Sequence, residues 1–245
     1  INVLLLSVLT TIFLQVLSNL ANDYGDFKNG ADHDNRKGPS RAVQAGVISP
    51  KAMFNAIIVF VLLSFVSGVS LLFVAFSLEE LKYVLIFLGL GVLSIIAAIK
   101  YTAGNNPYGY MGLGDIFVFI FFGLVGVIGS AYLHIKTFEL LMLLPAITIG
   151  FLSAGVLNVN NIRDIESDRE AGKMSVPVRI GAAKAKAYQY TLIVLAMMSL
   201  CLYGWFSLHL NYFFLLSFVI FIIHLIKVYN TKAEDFDPML KQLAL

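Results

Sequence analysis

The sequence predicts an all-α integral membrane protein, a bundle of transmembrane helices, on three observations. Apolar residues make up 59% of the chain and charged residues 13%, against about 45–50% and about 25% in soluble globular domains. The apolar residues gather into seven stretches, roughly 1–21, 52–76, 82–99, 115–133, 138–158, 187–206 and 210–228, near the length of about 20 residues that lets a helix cross a hydrocarbon core of about 30 Å. Each is apolar almost all round, as a lipid-embedded helix with an internally bonded backbone must be, and the period-two alternation of a membrane barrel is absent.

The chain begins at Ile1, already inside an apolar run with no charged n-region or small-residue cleavage site, so the first stretch reads as a span and not a signal peptide. The last residues, MLKQLAL, look like the approach to a further helix. Residues 1–245 are therefore expected to form a single transmembrane domain that is incomplete at both ends. The first span runs straight into NDYGDFKNGADHD, Asn22 to Asp34, which carries Asp23, Asp26, Asp32 and Asp34. If the helix continues through this boundary, Asn22 and Asp26 lie one turn apart on one face.

Arg36 to Pro50 is a loop by its Gly, Pro and Ser content, and Ser49 with Pro50 suits the cap and first turn of the second span. Glu79, Glu80 and Lys82 form a short turn before the third. The segment YTAGNNPYGYMGLGD, Tyr101 to Asp115, is too long and polar for a tight turn. Its tyrosines, Tyr101, Tyr108 and Tyr110, fit either an aromatic belt at the membrane boundary or a lid over a planar organic substrate with Asp115 at its mouth. Gly123, Gly126 and Gly129 in the fourth span permit close helix packing. Pro145 is expected to kink the fifth span, which ends in a second acidic cluster, NIRDIESDREAGK, Asn161 to Lys173, with Asp164 and Asp168 again at i, i+4. Arg169 to Gly181 is a basic loop leading to the sixth span. Cys201, the only cysteine, reads as packing, His209 and His224 as structural, and His33 as a loop residue.

With the spans alternating, 15 of the 17 basic residues fall on one side, leaving Lys82 and Lys136 on the other. The basic side is cytoplasmic by the positive-inside rule. That side also holds 12 of the 15 acidic residues, which do not set topology and so need a reason of their own. Carboxylates crowded at a membrane face repel one another unless cations sit among them. An amide oxygen and carboxylates are the ligands of a hard cation such as Mg2+, and the interleaved Arg41, Arg163, Lys173 and Arg179 suit an anion that the metal alone cannot neutralise. A diphosphate meets both demands. A secondary transporter is the competing class, but its acids belong within spans near the midplane, whereas these sit at helix ends on one face. A net charge of +2 gives no footing for nucleic acid.

The same residues carry a family resemblance. NDYGDxxxGxD at Asn22 to Asp32, YGYMGLGDIFVFIFFG from Tyr108 to Gly123, and NNIRDIESDREAGKMSVPVRIG from Asn160 to Gly181 resemble the UbiA superfamily of intramembrane prenyltransferases, whose acidic motifs read NxxxDxxxD and DxxxD. Here position 30 is Gly and the third acid stands at Asp32, as in the branch that uses 1,4-dihydroxy-2-naphthoate. The resemblance implies a nine-span bundle, seven spans of it visible here, with a central cavity open to lipid and a cytoplasmic cap, in the cell inner membrane. It implies Mg2+ on Asn22, Asp26, Asp164 and Asp168, with Asp32 a further candidate, and catalysis by Asp26, Asp164, Asp168 and Asp115. The partners it implies are a polyprenyl diphosphate donor, bound by Arg41, Arg163, Lys173 and Arg179, and an aromatic acceptor near Tyr108, Tyr110 and Asp115. 1,4-Dihydroxy-2-naphthoate is the acceptor implied, with 4-hydroxybenzoate or homogentisate as the alternatives.

Overall fold

The computed structural model describes residues 1–31, 41–207, 214–236 and 238–239. Asp32, His33, Asp34, Arg36, Lys37, His209 and Lys241 lie outside them. Among the described residues every regular element is helical. The elements are α1 (Asn2–Lys28), α2 (Pro50–Ala75), α3 (Leu81–Lys100), α4 (Gly114–Val118), a π-helical stretch (Phe119–Ile128), α5 (Gly129–Ile135), α6 (Leu143–Arg163), α7 (Ile165–Glu170), α8 (Val176–Ile180), α9 (Ala182–Phe206) and α10 (Leu215–Asn230).

Six stretches are long and apolar enough to cross a bilayer: Asn2–Lys28, Pro50–Ala75, Leu81–Lys100, Gly114–Ile135, Leu140–Arg163 and Ala182–Phe206. They correspond to the first six expected spans. The seventh is represented by α10, 16 residues or about 24 Å at the helical rise. Large apolar side chains such as Leu62, Val66, Leu85 and Leu93 are exposed along the spans, because lipid and not water is their solvent. Cys201 belongs with these: it is exposed on α9 near Met198, Leu202 and Trp205, so it faces outward and does not pack internally.

The chain divides into two compact units. The first contains α1, α2, α3, α5 and the loop up to Tyr110. There Leu17 and Ala21 of α1 pack on Ile57 of α2, and Leu71, Leu72 and Phe76 pack with Leu133 of α5. Ser49 caps α2 by accepting from the Ala52 N–H at 3.2 Å, with Pro50 at the first helical position, as the sequence led one to expect.

The second unit contains α4, the π-helical stretch and α6 to α10. The apolar side chains of Val159, Ile162, Ala185, Val228 and Phe236 form its core. The glycine positions in its fourth span are not equivalent. A Cβ on Gly123 would lie 2.6 Å from the Ala146 carbonyl and from Gly150 Cα, so this residue is the contact point between the π-helical stretch and α6, and Phe119 packs on Phe151 beside it. Gly126 meets only its own helix and Gly129 lies at ordinary distance from Phe87. Pro145 does not kink α6. It falls in the first turn, after a 3-10 turn at Leu140–Met142, where its missing N–H leaves no helical bond unmade.

A polar chain crosses the apolar interior of this unit. Asn158 of α6, Gln189 of α9 and His224 of α10 are all fully buried. Asn158 Nδ2 donates to the Ala185 carbonyl at 3.1 Å and to Gln189 Oε1 at 2.8 Å, and Gln189 Nε2 lies 3.1 Å from His224 Nε2. Because a carbonyl can only accept, Ala185 fixes the direction of the whole chain: Gln189 must donate to His224 Nε2, which places the imidazole proton on Nδ1. Gln189→Leu strands a donor on Asn158 and an acceptor on His224, at a cost of about 1–3 kcal/mol per stranded group. It should lower the thermal unfolding midpoint in detergent, and replacing Asn158 and His224 by Leu in the same chain should recover part of the loss.

Candidate active site

The two acidic helix ends lie one in each unit, and the same local device builds both. Helix α1 runs unbroken to Lys28, so Asn22 and Asp26 do share a face. It closes with Gly30 at φ +73°, the Gly30 N–H bonded to the Phe27 carbonyl and the Ala31 N–H to the Asp26 carbonyl. In the second unit α6 gives way to α7 at Asp164, yet the Asp168 N–H still reaches the Asp164 carbonyl at 2.8 Å, which keeps the two carboxylates one turn apart. Helix α7 closes with Gly172 at φ +71°, Gly172 N–H to Arg169 and Lys173 N–H to Asp168. Both are Schellman closures with an aspartate at the third position from the end and a glycine in the left-handed region.

Each carboxylate is delivered together with a cation. In the first unit Asp26 is 1% exposed. It accepts from Arg41 Nη1 at 2.9 Å and from the Tyr110 hydroxyl at 3.0 Å. Arg41 also donates to the Asn22 backbone carbonyl at 3.1 Å, and with its amide turned to suit these donors Asn22 presents its oxygen to Arg41 at 3.2–3.3 Å. Asp23, a member of the first acidic cluster, lies beside the backbone N–H groups of Ala42 and Val43. The Asp23 Oδ1 atom is buried without a hydrogen-bond partner among the described residues.

The tyrosine loop of this unit is fixed to the helices. Gly25 allows it: a Cβ there would lie 2.6 Å from the Thr102 carbonyl carbon and 2.7 Å from its oxygen. Thr102 Oγ1 donates to the Ala21 carbonyl, and Asn29 Nδ2 donates to the Thr102 carbonyl at 2.7 Å. Tyr108 packs its ring at a tilt against Tyr101 and donates to the Ala97 carbonyl at 2.9 Å. Burial, with Tyr101 beside it, raises the pKa of this phenol, so the hydroxyl keeps the proton it donates. Tyr108 therefore anchors the loop, and Tyr110 is the tyrosine brought to the acidic cluster.

In the second unit Arg163 forms a two-pronged pair with Asp164, Nε to Oδ1 and Nη2 to Oδ2, both at 2.8 Å. The Schellman closure folds Lys173 back over Asp168, Nζ to Oδ1 3.4 Å, and Ser175 donates to Asp168 Oδ2 at 3.3 Å. Arg179 ties two loops together, donating from Nε to the Met174 carbonyl at 3.0 Å and from Nη2 to the Met111 carbonyl at 2.9 Å. The second of these holds the approach to Asp115, which stands in the first turn of α4 and is 6% exposed. The Tyr188 hydroxyl of α9 stands beside Asp115, whose Oδ2 has no hydrogen-bond partner among the described residues. Neither Tyr188 nor Ser175 stood out in the sequence.

The donor set at both helix ends is oxygen only, which suits a hard divalent cation and not a transition metal. Among the described residues no three acidic, histidine or cysteine side chains gather in reach of one ion. Each aspartate pair offers at most part of a coordination shell, as expected where a ligand's phosphate oxygens complete it.

The fold and these motifs define a multi-pass membrane prenyltransferase. The UbiA prenyltransferase family profile matches residues 1–241, and the chain belongs to that family. It is similar to the 1,4-dihydroxy-2-naphthoate octaprenyltransferase of Haemophilus influenzae, 45% identical over 99% of this chain and 79% of that protein. The protein of the same name from Escherichia coli is 49% identical over 84% of this chain and 67% of its own length. The human UbiA prenyltransferase domain-containing protein 1 is 29% identical over 72% of the chain and half its own length. No solved structure matches the chain. Prenyltransferases of this family generally use a divalent metal.

Gly25→Ala should push the Thr102 backbone off α1, withdraw Tyr110 from Asp26 and cost about 1–3 kcal/mol of stability by overpacking. Gly89→Ala, in open space on α3, should leave the midpoint unchanged or slightly raised.

Proposed function

We propose that the chain transfers a polyprenyl group from polyprenyl diphosphate to 1,4-dihydroxy-2-naphthoate, releasing diphosphate and carbon dioxide and giving demethylmenaquinol, a step of menaquinone biosynthesis. Residues 1–245 act in this reading as one prenyltransferase domain in the cell inner membrane, with the acidic helix ends on the cytoplasmic side given by the bias of basic residues. The observation that carries the reading is the repeated pairing at the helix ends: Asp26 with Arg41, Asp164 with Arg163, and Asp168 with Lys173. The two relatives named above as octaprenyltransferases support the acceptor and the donor class.

Asn22, Asp26, Asp164 and Asp168 would hold Mg2+, with Asp32 a further ligand, and the chemistry the ion supplies is neutralisation of charge on the leaving diphosphate. Arg41, Arg163 and Lys173 shift from carboxylate to phosphate oxygen as the donor binds, so no cation has to be brought in from water. Arg179 already spends two N–H groups on the carbonyls of Met111 and Met174 and offers the others to the anion. This is electrostatic stabilisation of charge separation by groups already in place, at a membrane edge where apolar surroundings keep water from intercepting an allylic cation. Asp115 is assigned to the acceptor. Tyr110 positions Asp26, and Tyr108, with its hydroxyl committed to Ala97, can offer an acceptor only its ring.

Purified protein given polyprenyl diphosphate, Mg2+ and 1,4-dihydroxy-2-naphthoate should yield a product with the mass of the prenylated quinol and an equal amount of carbon dioxide. Chelation should abolish the reaction and added Mg2+ restore it. Turnover of 4-hydroxybenzoate or homogentisate in place of the naphthoate would move the assignment to those acceptors. Asp26→Ala and Asp164→Ala should each lower product formation at least about 10²–10³-fold in folded protein, and full activity in both would sink the proposed site.

A further inference from the structure

Asp115 differs from the three cation-paired acids. Asp26, Asp164 and Asp168 each face an Arg or Lys, whereas the group beside Asp115 is the neutral hydroxyl of Tyr188. The carboxyl is 6% exposed and one oxygen is buried with no partner among the described residues. Buried polar atoms are nearly always hydrogen-bonded, and an ionisable side chain at the end of a membrane span marks a functional position. The open valence calls for a partner that can donate a hydrogen bond and give up a proton. A phenolic hydroxyl does both.

We infer that Asp115 and Tyr188 form a proton-holding pair for the acceptor, in which the open Asp115 oxygen receives a ring-hydroxyl proton and Tyr188 positions the carboxyl. This rests on the reading of the substrate as a hydroxylated aromatic acid. As the ring carbon bearing the acceptor's carboxylate forms its bond to the prenyl C1, the bond from C1 to the diphosphate oxygen breaks. The adjacent hydroxyl becomes a ring ketone and its proton passes to Asp115. The carboxylate then departs as carbon dioxide, the electrons of its carbon–carbon bond return to the ring, and the ketone oxygen takes the proton back from Asp115. The carboxyl group ends as it began, and no outside base, oxidant or reductant is consumed. A proton released instead to water would have to be fetched back for the second half of the reaction. Storing it on a buried carboxyl a hydrogen bond away removes that step. Tyr188 acts only through Asp115 and is a positioning residue.

The experiment uses the full chain in detergent with Mg2+, polyprenyl diphosphate and 1,4-dihydroxy-2-naphthoate, comparing wild type, Asp115→Asn and Tyr188→Phe. Asp115→Asn should lower kcat at least about 10²-fold, the scale of a lost general base, and Tyr188→Phe should raise the acceptor KM about tenfold, both with the donor KM unchanged. The 1-methoxy analogue of the acceptor should be as poor a substrate for wild type as the hydroxyl form is for Asp115→Asn, and no poorer for the variant. Variants that keep kcat and acceptor KM within about twofold of wild type, or that raise donor and acceptor KM alike, would overturn the pair. Should Asp115→Asn fail to fold, Tyr188→Phe, which removes one oxygen atom, decides by the same split between the two KM values. If the wild-type protein ignores the naphthoate but converts another hydroxylated aromatic acid, the acceptor assignment has failed and the pair is judged on that acid.

Discussion

A carboxylate placed where a membrane helix meets the headgroup region must be compensated on the spot, because the surroundings screen charge far less than water does. That constraint orders the local structure at both acidic helix ends. Asp26, Asp164 and Asp168 are all buried, and a guanidinium or ammonium accompanies each. The pairing is built in by short-range sequence. Arg163 directly precedes Asp164, Lys173 returns to Asp168 through a helix-terminating glycine, and Arg41 bonds both the Asn22 carbonyl and Asp26. Breaking a buried pair by removing one partner strands the other, so the arrangement is stable only while every carboxylate has a cation, whether an amino-acid side chain or a metal.

The two acidic segments are variations on one local design. Reading outward, an amide or carboxyl residue, an aspartate four positions on, and a glycine four positions further recur as Asn22, Asp26, Gly30 and as Asp164, Asp168, Gly172. The correspondence of these helix ends has its physical basis in the shared Schellman closure. It also accounts for the glycine at position 30, where an acid would fit the broader family pattern. The residue there adopts φ +73°, a conformation glycine enters without the clash a Cβ would bring.

Much of this was legible beforehand because it depends on neighbours in sequence. Span lengths, the Ser49 cap and the i, i+4 acids are matters of composition and period, and the structure places them where pattern puts them. What escaped notice depends on residues far apart in the chain. Nothing in α9 marks Tyr188 or Gln189 as different from other polar residues of an apolar helix until Asp115, Asn158 and His224 are seen against them. Pro145 misled for a related reason. A proline's effect depends on its distance from the helix start, and the short 3-10 turn that moves that start has no hydrophobic signature. The π-helical stretch at Phe119–Ile128 had no sequence signal either, and Gly123 gained meaning only from the approach of α6.

The contrast among the carboxylates separates two kinds of work. A carboxylate whose partner is a movable cation can exchange that cation for a metal and release it to a phosphate. Its own proton affinity plays no part, since one positive charge is replaced by another. A carboxyl whose partner is a neutral hydroxyl cannot do this, because nothing nearby compensates its charge; the group that occupies its open oxygen must carry a hydrogen. In the proposed function, the three cation-paired aspartates therefore serve the anionic end of the donor and Asp115 the hydroxyl of the acceptor. For a reaction that separates charge in one substrate and moves a proton in the other, mixing the two environments would defeat both tasks. A cation beside Asp115 would weaken it as a proton store, and a lone hydroxyl beside Asp26 would leave a buried charge uncompensated.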